Sequence, residues 1–484
     1  MSTIKKSFFW SLVEQLGPQL FSFFISILLA RLLDPAAFGL VGMLALFTGL
    51  ATVFADAGMS SALIQRKTLT ADDETSIFAL NIVVGFALTL LLCLISPLVS
   101  LFYDQPILTP LLCVASLSLL ISSFALVQSA LLSRQMLFQK TAFVATTSTM
   151  ISGLTGVSMA YLGFGVWSLV VSGTVAALVR VCLLWKVSAW RPSGKVRRQS
   201  IRSMFGFSSN ILGCQLIGIA YQNLYSVVIG KVYSPQSLGY YNQANNLRMM
   251  PVMVVGGVVH RVSFPLFSSL QDDKPQMLQQ MRKLIRGTLL LSAGGLTLLA
   301  VIADPLIPLV LTEKWRPSIP LLRILCYAGV LFPVHLLYLS TIQAQGLSNL
   351  SLRLEIIKVF LGAAVVALFY RYGVEALAWS VVLVTGLSYF INVWYNVKLL
   401  DYRWRQQAFD LLPTFTLCAF SGWVAWWLGT CTTAGVFAVL FVQIASFIAI
   451  VLTVICLFRK LFFVDIWAHM LWSLDRLKRR SSVS

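Results

Sequence analysis

Arg31-Leu-Leu-Asp-Pro35-Ala-Ala-Phe38-Gly39 and Lys231-Val-Tyr-Ser-Pro235-Gln-Ser-Leu238-Gly239 lie two hundred positions apart and follow one pattern. In each copy an apolar helix ends on a basic residue, a Pro initiates a tight turn, and a Gly opens the next apolar helix. Extending the register backwards without a gap aligns Gln15 with Gln215, Ser22 with Gln222 and Ser26 with Ser226. A single shared Pro and Gly would mean little. A match that carries the basic residue and the polar positions along with it marks an internal repeat.

Working outward from these turns, fourteen apolar stretches fill the chain: Leu12–Leu33, Phe38–Ile64, Ile77–Leu101, Leu108–Leu131, Ala142–Leu162, Val166–Trp185, Ser208–Val232, Leu238–Leu270, Gly287–Leu311, Ile319–Gln343, Leu354–Tyr370, Ala376–Leu399, Leu411–Leu428 and Val436–Phe458. Each matches the roughly 20 residues needed to cross about 30 Å of hydrocarbon at 1.5 Å per residue. Hydrophobic residues make up 58% and charged residues 11% of 484, and mean hydropathy is +0.84. A water-soluble protein carries about 25% charged residues. The roughly 10-residue alternating segments of a membrane barrel do not occur. The expected fold is an all-α polytopic membrane protein with fourteen transmembrane helices, in two parallel six-helix lobes plus a C-terminal pair. The expected domains are a lobe at 1–186, a basic linker at 187–207, a second lobe at 208–400, an additional helix pair at 401–458 and a tail at 459–484. Parallel repeats of this kind are related by an axis along the membrane normal and face each other across a central cavity.

The net charge of +19 is unevenly placed. One set of loops holds Lys5, Lys6, Arg66, Lys67, the run Lys186–Arg202, the segment Lys274–Arg286 and the tail cations Arg476 to Arg480, among others. The opposite loops hold only Arg31, Lys231, Lys314, Arg316, Arg323 and Arg371. Lys and Arg bias sets topology, so both termini and the loop Lys186–Phe207 are expected in the cytoplasm. The same distribution accounts for the basic excess without nucleic acid as a partner. The tail mixes Phe462, Phe463, Ile466, Trp467, Leu471 and Leu474 with Lys and Arg, which suits an interfacial amphipathic helix on anionic membrane lipids, or else a docking helix. The first apolar run is too long for a cleaved signal peptide. Seven of the eight cysteines fall within spans, so no disulfide framework is implied. His260, His335 and His469 are isolated, and no metal-ligand spacing occurs.

Several polar residues sit where hydrocarbon is expected. Gln15, Gln19, Ser22 and Ser26 form one stripe on the first helix, and Gln215, Gln222 and Ser226 repeat much of it on the seventh. Helix–helix hydrogen bonding explains each residue singly; their repetition favours the lining of a shared polar space. The eighth stretch places Tyr241, Asn245 and Arg248 on one face, with Asn242 and Asn246 beside them. Ten residues from its outer end, Arg248 lies about 15 Å deep. A guanidinium there costs roughly 2.5 to more than 10 kcal/mol if it faces lipid, so a wet cavity or a counter-charge is required. Arg31 and Lys231 are equally compatible with snorkelling at the interface. Arg261 lies near the inner end of the eighth stretch, Asp56 near that of the second and Glu14 near that of the first. Asp56 and Glu14 are candidates for holding a coupling ion, while Glu355 and Lys358 are ambiguous. Pro251, Pro265, Pro305, Pro308 and Pro333 interrupt stretches.

The runs ARLLDPAAFG, ADAGMSSALIQRK and SLGYYNQANNLRMMPV resemble those of the polysaccharide flippases of the MOP exporter family. HRVSFPLFSSLQDD and LVLTEKWRPSIPLLRILC are similar to the colanic acid exporter branch of the Wzx flippases. The resemblance covers most of residues 1 to 400. It implies two lobes in a V that open alternately to either side, and export of an undecaprenyl-pyrophosphate-linked oligosaccharide. The pyrophosphate would enter a cationic cavity while the lipid tail stays in the bilayer. It implies coupling to a proton or Na+, no other cofactor, and no enzymatic activity. A polysaccharide polymerase or export machinery is the implied protein partner. Arg31 and Arg248 carry over as cavity cations. Asn242-Gln243 stands where many relatives place a basic residue after GYY, which leaves the number of phosphate-binding cations open. Physical chemistry points the same way: Arg grips phosphate in bidentate fashion, and Tyr and Asn suit sugars. The alternative is an ion-coupled multidrug or small-solute antiporter of the same superfamily, which calls for an acidic cavity rather than Arg248 among amides. A polymerase or ligase would need large outer loops or an acidic catalytic cluster.

Overall fold

A computed structural model describes the backbone of residues 2–66, 68–433 and 435–457, with side chains at all of these except 2–16, 202–211, 214, 260 and 348. The expected tail helix at 459–484 lies outside the described residues. The described residues are helical and contain no strand. Two compact units divide the chain, Met1–Gly239 and Tyr240–Ser484.

The first unit contains α1 (Ser2–Leu32), α2 (Pro35–Asp56), α3 (Met59–Gln65), α4 (Ala71–Tyr103), α5 (Leu108–Ser123), α6 (Leu126–Arg134), α7 (Phe138–Tyr161), α8 (Trp167–Val187) and α9 (Arg198–Val232). The helix α10 (Pro235–Ser268) begins here and runs into the second unit. That unit continues with α11 (Lys274–Val301), α12 (Ala303–Leu311), α13 (Ser318–Val330), α14 (Phe332–Ala344), α15 (Ser348–Phe369), α16 (Val374–Leu400), α17 (Trp404–Cys431) and α18 (Val436–Leu457). Every expected apolar stretch is occupied by one helix or by a broken pair. Nine helices among the described residues are long and apolar enough to cross a bilayer, ten if α5 and α6 form one span bent by 49°. Large apolar side chains such as Leu94, Leu98, Leu101, Phe360, Phe437 and Phe441 stand exposed along them. Water would not tolerate so many; hydrocarbon requires them. The chain is a multi-pass membrane protein.

Local chemistry sets the breaks. α2 stops where Ala57 and Gly58 both take positive φ, 44° and 71°, and α3 restarts at once. The α13–α14 break at Leu331 is followed by Pro333, which cannot donate into the preceding turn. At the start of α4, Thr70 and Asp73 form a capping box, with Thr70 Oγ1 accepting from Asp73 N at 3.2 Å and Asp73 Oδ2 from Thr70 N at 3.2 Å. Asp273 caps α11 by accepting from Gln276 N at 3.0 Å. α11 therefore starts thirteen residues before the expected span at Gly287, and Lys274, Arg282, Lys283 and Arg286 are helical rather than looped. Helical backbone is internally paired, so it continues unbroken from membrane into water.

Within the first unit α1 packs on α7, α7 on α8, α5 on α4 and α8, and α9 on α2, α3 and α4. The segment between α8 and α9 is pinned to the start of α4. Trp190 Nε1 donates to Glu74 at 2.6 Å, Lys195 N to Asp72 at 2.7 Å and Gly194 N to Thr75 at 3.0 Å, and Arg197 pairs with Asp72 at 2.6 Å.

The two repeat motifs meet each other. A Cβ on Gly39 would fall 1.6 Å from the Pro235 carbonyl oxygen, and one on Gly239 would fall 1.9 Å from that of Pro35. Each motif's Gly thus receives the other's Pro backbone, a reciprocal crossing that only residues without a side chain permit. Pro35 and Pro235 occupy first helical positions, where a missing N–H costs nothing.

Candidate functional site

Arg248 lies in the middle of α10, behind the buried Tyr241. Its Nε is buried with no hydrogen-bond acceptor, and Nη2 reaches only the thioether sulfur of Met249 at 3.3 Å, a weak acceptor. Among the described residues no carboxylate lies within ion-pairing distance of it. The neighbouring helix makes room: a Cβ on Gly329 of α13 would sit 3.3 Å from Arg248 Cγ and 2.8 Å from Leu296 Cδ1. The polar groups of α10 are not equivalent. Asn242 and Asn245 are half-buried, Asn246 and Arg261 are exposed, and Gln243 is buried with Oε1 unpartnered. A cation left short of acceptors beside a Tyr and several amides can bind an anion such as phosphate in bidentate fashion, with hydroxyl-bearing groups alongside.

The expected residues of the first unit are placed as follows. Arg31 is exposed in the last turn of α1, and Gln215 and Gln222 are exposed on α9. The side chains of Gln15 and Glu14 lie outside the described residues. Asp56, a coupling candidate, accepts from Ser60 N at 3.3 Å and from Ser60 Oγ at 2.5 Å, which ties the end of α2 to α3. Lys231, the partner of Arg31 in the repeat, pairs with Asp104 at 3.0 Å and lies over the Phe102 ring. Tyr241, Asn242, Asn245 and Arg248 share the helix α10, with Arg261 further along it.

Two charged clusters join residues far apart in the sequence. In the second unit, Asp410 of α17 is fully buried and receives Arg282 through Nε at 2.6 Å and Nη2 at 3.0 Å, and Arg286 through Nε at 2.8 Å and also Nη2. Tyr402 donates to the same carboxylate at 2.6 Å. Burial, followed by that carboxylate, pushes the Tyr402 phenol well above its usual range, so it remains a donor. The second cluster joins three helices. His335 of α14 lies 3.5 Å from Glu355 of α15, which holds Lys358 at 2.8 Å, and Asn392 of α16 hydrogen-bonds the far ring nitrogen. Charged residues at i and i+3 inside an apolar run, Glu355 and Lys358, were the available signal; nothing in sequence linked them to His335.

The chain is 26% identical over 339 residues to the lipopolysaccharide biosynthesis protein WzxC of Escherichia coli (strain K12), covering 69% of this chain and 68% of that one. It is 27% identical to the succinoglycan biosynthesis transport protein ExoT of Rhizobium meliloti (strain 1021), over 68% and 67% of the two chains. It is 23% identical to the teichuronic acid biosynthesis protein TuaB of Bacillus subtilis (strain 168), over 77% and 79%. Among solved structures, the lipid II flippase MurJ in an inward closed conformation superposes with a TM-score of 0.77 at 15% identity, over 94% of this chain and 99% of that one. An inward-facing multidrug resistance MATE transporter of the MOP superfamily gives 0.63 at 14% identity, over 80% and 98%. These likenesses show the fold. The model of a family described as "Polysaccharide biosynthesis protein" matches residues 28–320, and the chain belongs to that family.

Proposed function

We propose that this protein is a transporter, not an enzyme, that flips lipid-linked oligosaccharide repeat units from the cytoplasmic to the periplasmic leaflet of the bacterial inner membrane. The products would serve capsule, exopolysaccharide or O-antigen synthesis. The observation that carries the reading is Arg248, a partly buried guanidinium with an unpartnered Nε and no carboxylate beside it. Leaving such a group unmatched in a membrane is costly, and a diphosphate supplies the missing charge and acceptors. Family membership, the succinoglycan transport relative and the flippase fold neighbour support the same class of cargo.

In this reading fourteen helices cross the membrane, both termini are cytoplasmic, and residues 1–186 and 208–400 act as lobes that open alternately around a central cavity. Arg31, Gln15, Gln215, Gln222 and Arg261 would line the route around Arg248, Tyr241, Asn242 and Asn245. The undecaprenyl tail would remain among membrane lipids, and a polysaccharide polymerase would receive the product. The multidrug-antiporter alternative draws on the MATE fold likeness. It needs an acidic pocket for cationic drugs, and the sign of Arg248 opposes it.

Reconstitution in liposomes decides between them. The purified chain is expected to move a pyrophosphate-linked oligosaccharide to the opposite leaflet, read by access of a sugar-modifying enzyme, and to leave cationic dyes where they are. Dye export without oligosaccharide movement would overturn the reading.

A further inference from the structure

His335 has no role in that account, yet it sits in the most elaborate polar arrangement of the second unit outside the Asp410 cluster. It occupies the first turn of α14, directly after the break at Leu331, and its backbone N bonds Leu331 O at 2.9 Å. Three helices converge on its ring. Asn392 of α16 places its side-chain nitrogen on Nδ1, and Glu355 of α15 lies 3.5 Å from Nε2. Lys358, only 4% exposed, holds the same Glu355 oxygen at 2.8 Å. Among the described residues, Glu355 and Lys358 are the charged groups that act on His335; the facing group from α16 is the neutral Asn392.

The pairing of Asn392 with Nδ1 admits two arrangements. With the amide NH2 on Nδ1 the ring is neutral and Nε2–H faces Glu355; with the amide oxygen there, Nδ1 carries a proton. In the first, Glu355 and Lys358 cancel, and the cluster carries no net charge. One acceptor is left over: Asn392 Oδ1 is buried with no partner. Buried amide oxygens are seldom left so. A proton on Nδ1 provides the missing donor, and only the imidazolium does so while still donating to Glu355. A half-turn of the Asn392 amide brings Oδ1 to the ring, and the imidazolium then donates on both sides, to Asn392 and to Glu355. The same half-turn leaves the Asn392 NH2 on the helix face it shares with Asn396, whose Oδ1 is also buried and unpartnered. Access is available as well. Glu355 is 45% exposed and lies about 160° around α15 from the exposed Ile357, away from the face that Ile357 and Phe360 present to lipid.

We propose that His335 is a proton-binding site, switched between Asn392 and Glu355, that couples transport to proton movement. Uptake adds one proton at Nδ1 and takes the cluster from zero to one positive charge, immediately beside the α13–α14 break. The proton-binding half stands alone; the coupling half rests on the export function proposed above.

Proton binding is tested on the substrate-free protein. In detergent, ring-labelled histidine gives at most three signals, because the chain has three histidines. The His335 signal is assigned by His260→Gln and His469→Gln, which leave His335 in place. It is expected to titrate within the range scanned, and Glu355→Gln, which removes the facing carboxylate, is expected to move its midpoint down. A His335 signal unchanged from pH 4 to 9 would overturn the site. Coupling is tested in liposomes. An imposed pH gradient is expected to speed wild-type flipping at least about tenfold over no gradient, and His335→Gln to abolish that stimulation while keeping gradient-free flipping. Full stimulation in His335→Gln, or stimulation by a Na+ gradient at equal pH alone, would overturn coupling through His335. A chain that flips nothing fails the export reading instead, and leaves the titration to judge the proton site.

Discussion

Asp410 and Arg248 each put a charge among apolar helices, and their surroundings are opposite. The carboxylate of Asp410 is enclosed by two arginines and a phenol, with its exposure reduced to zero. Around it, Gln407 accepts from Tyr338 at 3.1 Å and from Tyr389 at 3.2 Å and donates to the Tyr402 carbonyl at 2.8 Å. A cluster with that many satisfied partners needs nothing further. Its place is structural: it fastens α17, the first helix of the C-terminal pair, to α11. Arg248 has the reverse character, with a buried Nε that finds no acceptor. A group that folding leaves unmatched is one that a ligand can match. The contrast separates charges that hold the protein together from the charge that, in the proposed reading, waits for cargo.

Substitutions at the two places should therefore fail in different ways. Asp410→Ala would leave Arg282 and Arg286 facing each other without their carboxylate. Breaking one side of a buried pair costs about 3–5 kcal/mol, and the partial exposure of both arginines puts the expected loss at the lower end, about 3 kcal/mol. Thermal unfolding in detergent should show it as a clear fall in Tm, the largest among these changes. An unchanged Tm would mean that the cluster anchors nothing. At the other extreme stands Lys231, which pairs with an Asp104 that is 76% exposed. Lys231→Ala is expected to cost less than about 1 kcal/mol, measured in the same way. A larger loss would show that even exposed charges near the repeat turn are structural, and would blur the comparison.

How much of this could be read in advance depends on whether the signal is local. Apolar length is local, and each expected stretch holds a helix or a broken pair. The repeat was legible too, and its physical reason appears in space: Gly39 and Gly239 each accept the other motif's Pro backbone. The breaks were harder. Ala57 takes a positive φ without being Gly, and nothing in Ile121–Val127 announces the bend between α5 and α6. Charge partners were hardest. Asp410 falls one residue outside an expected span, and Arg282 and Arg286 fall in an expected loop, so their meeting across 128 and 124 positions has no trace in the sequence. His335 was isolated in the chain for the same reason; Glu355 and Asn392 reach it from two other helices. Arg248 was visible because depth in an apolar run is countable. Its lack of a counter-charge was not.

The central claim is best tested by measuring flipping of a pyrophosphate-linked oligosaccharide by Arg248→Ala in liposomes, with Tm recorded on the same preparation. Losing a charged hydrogen-bonding partner for phosphate corresponds to about 1.5–3 kcal/mol, so the rate should fall at least about tenfold. The Tm should hold or rise, because a buried nitrogen without an acceptor has been removed. Wild-type flipping by Arg248→Ala, or a loss of Tm like that expected for Asp410→Ala, would place Arg248 among the structural charges and contradict the account.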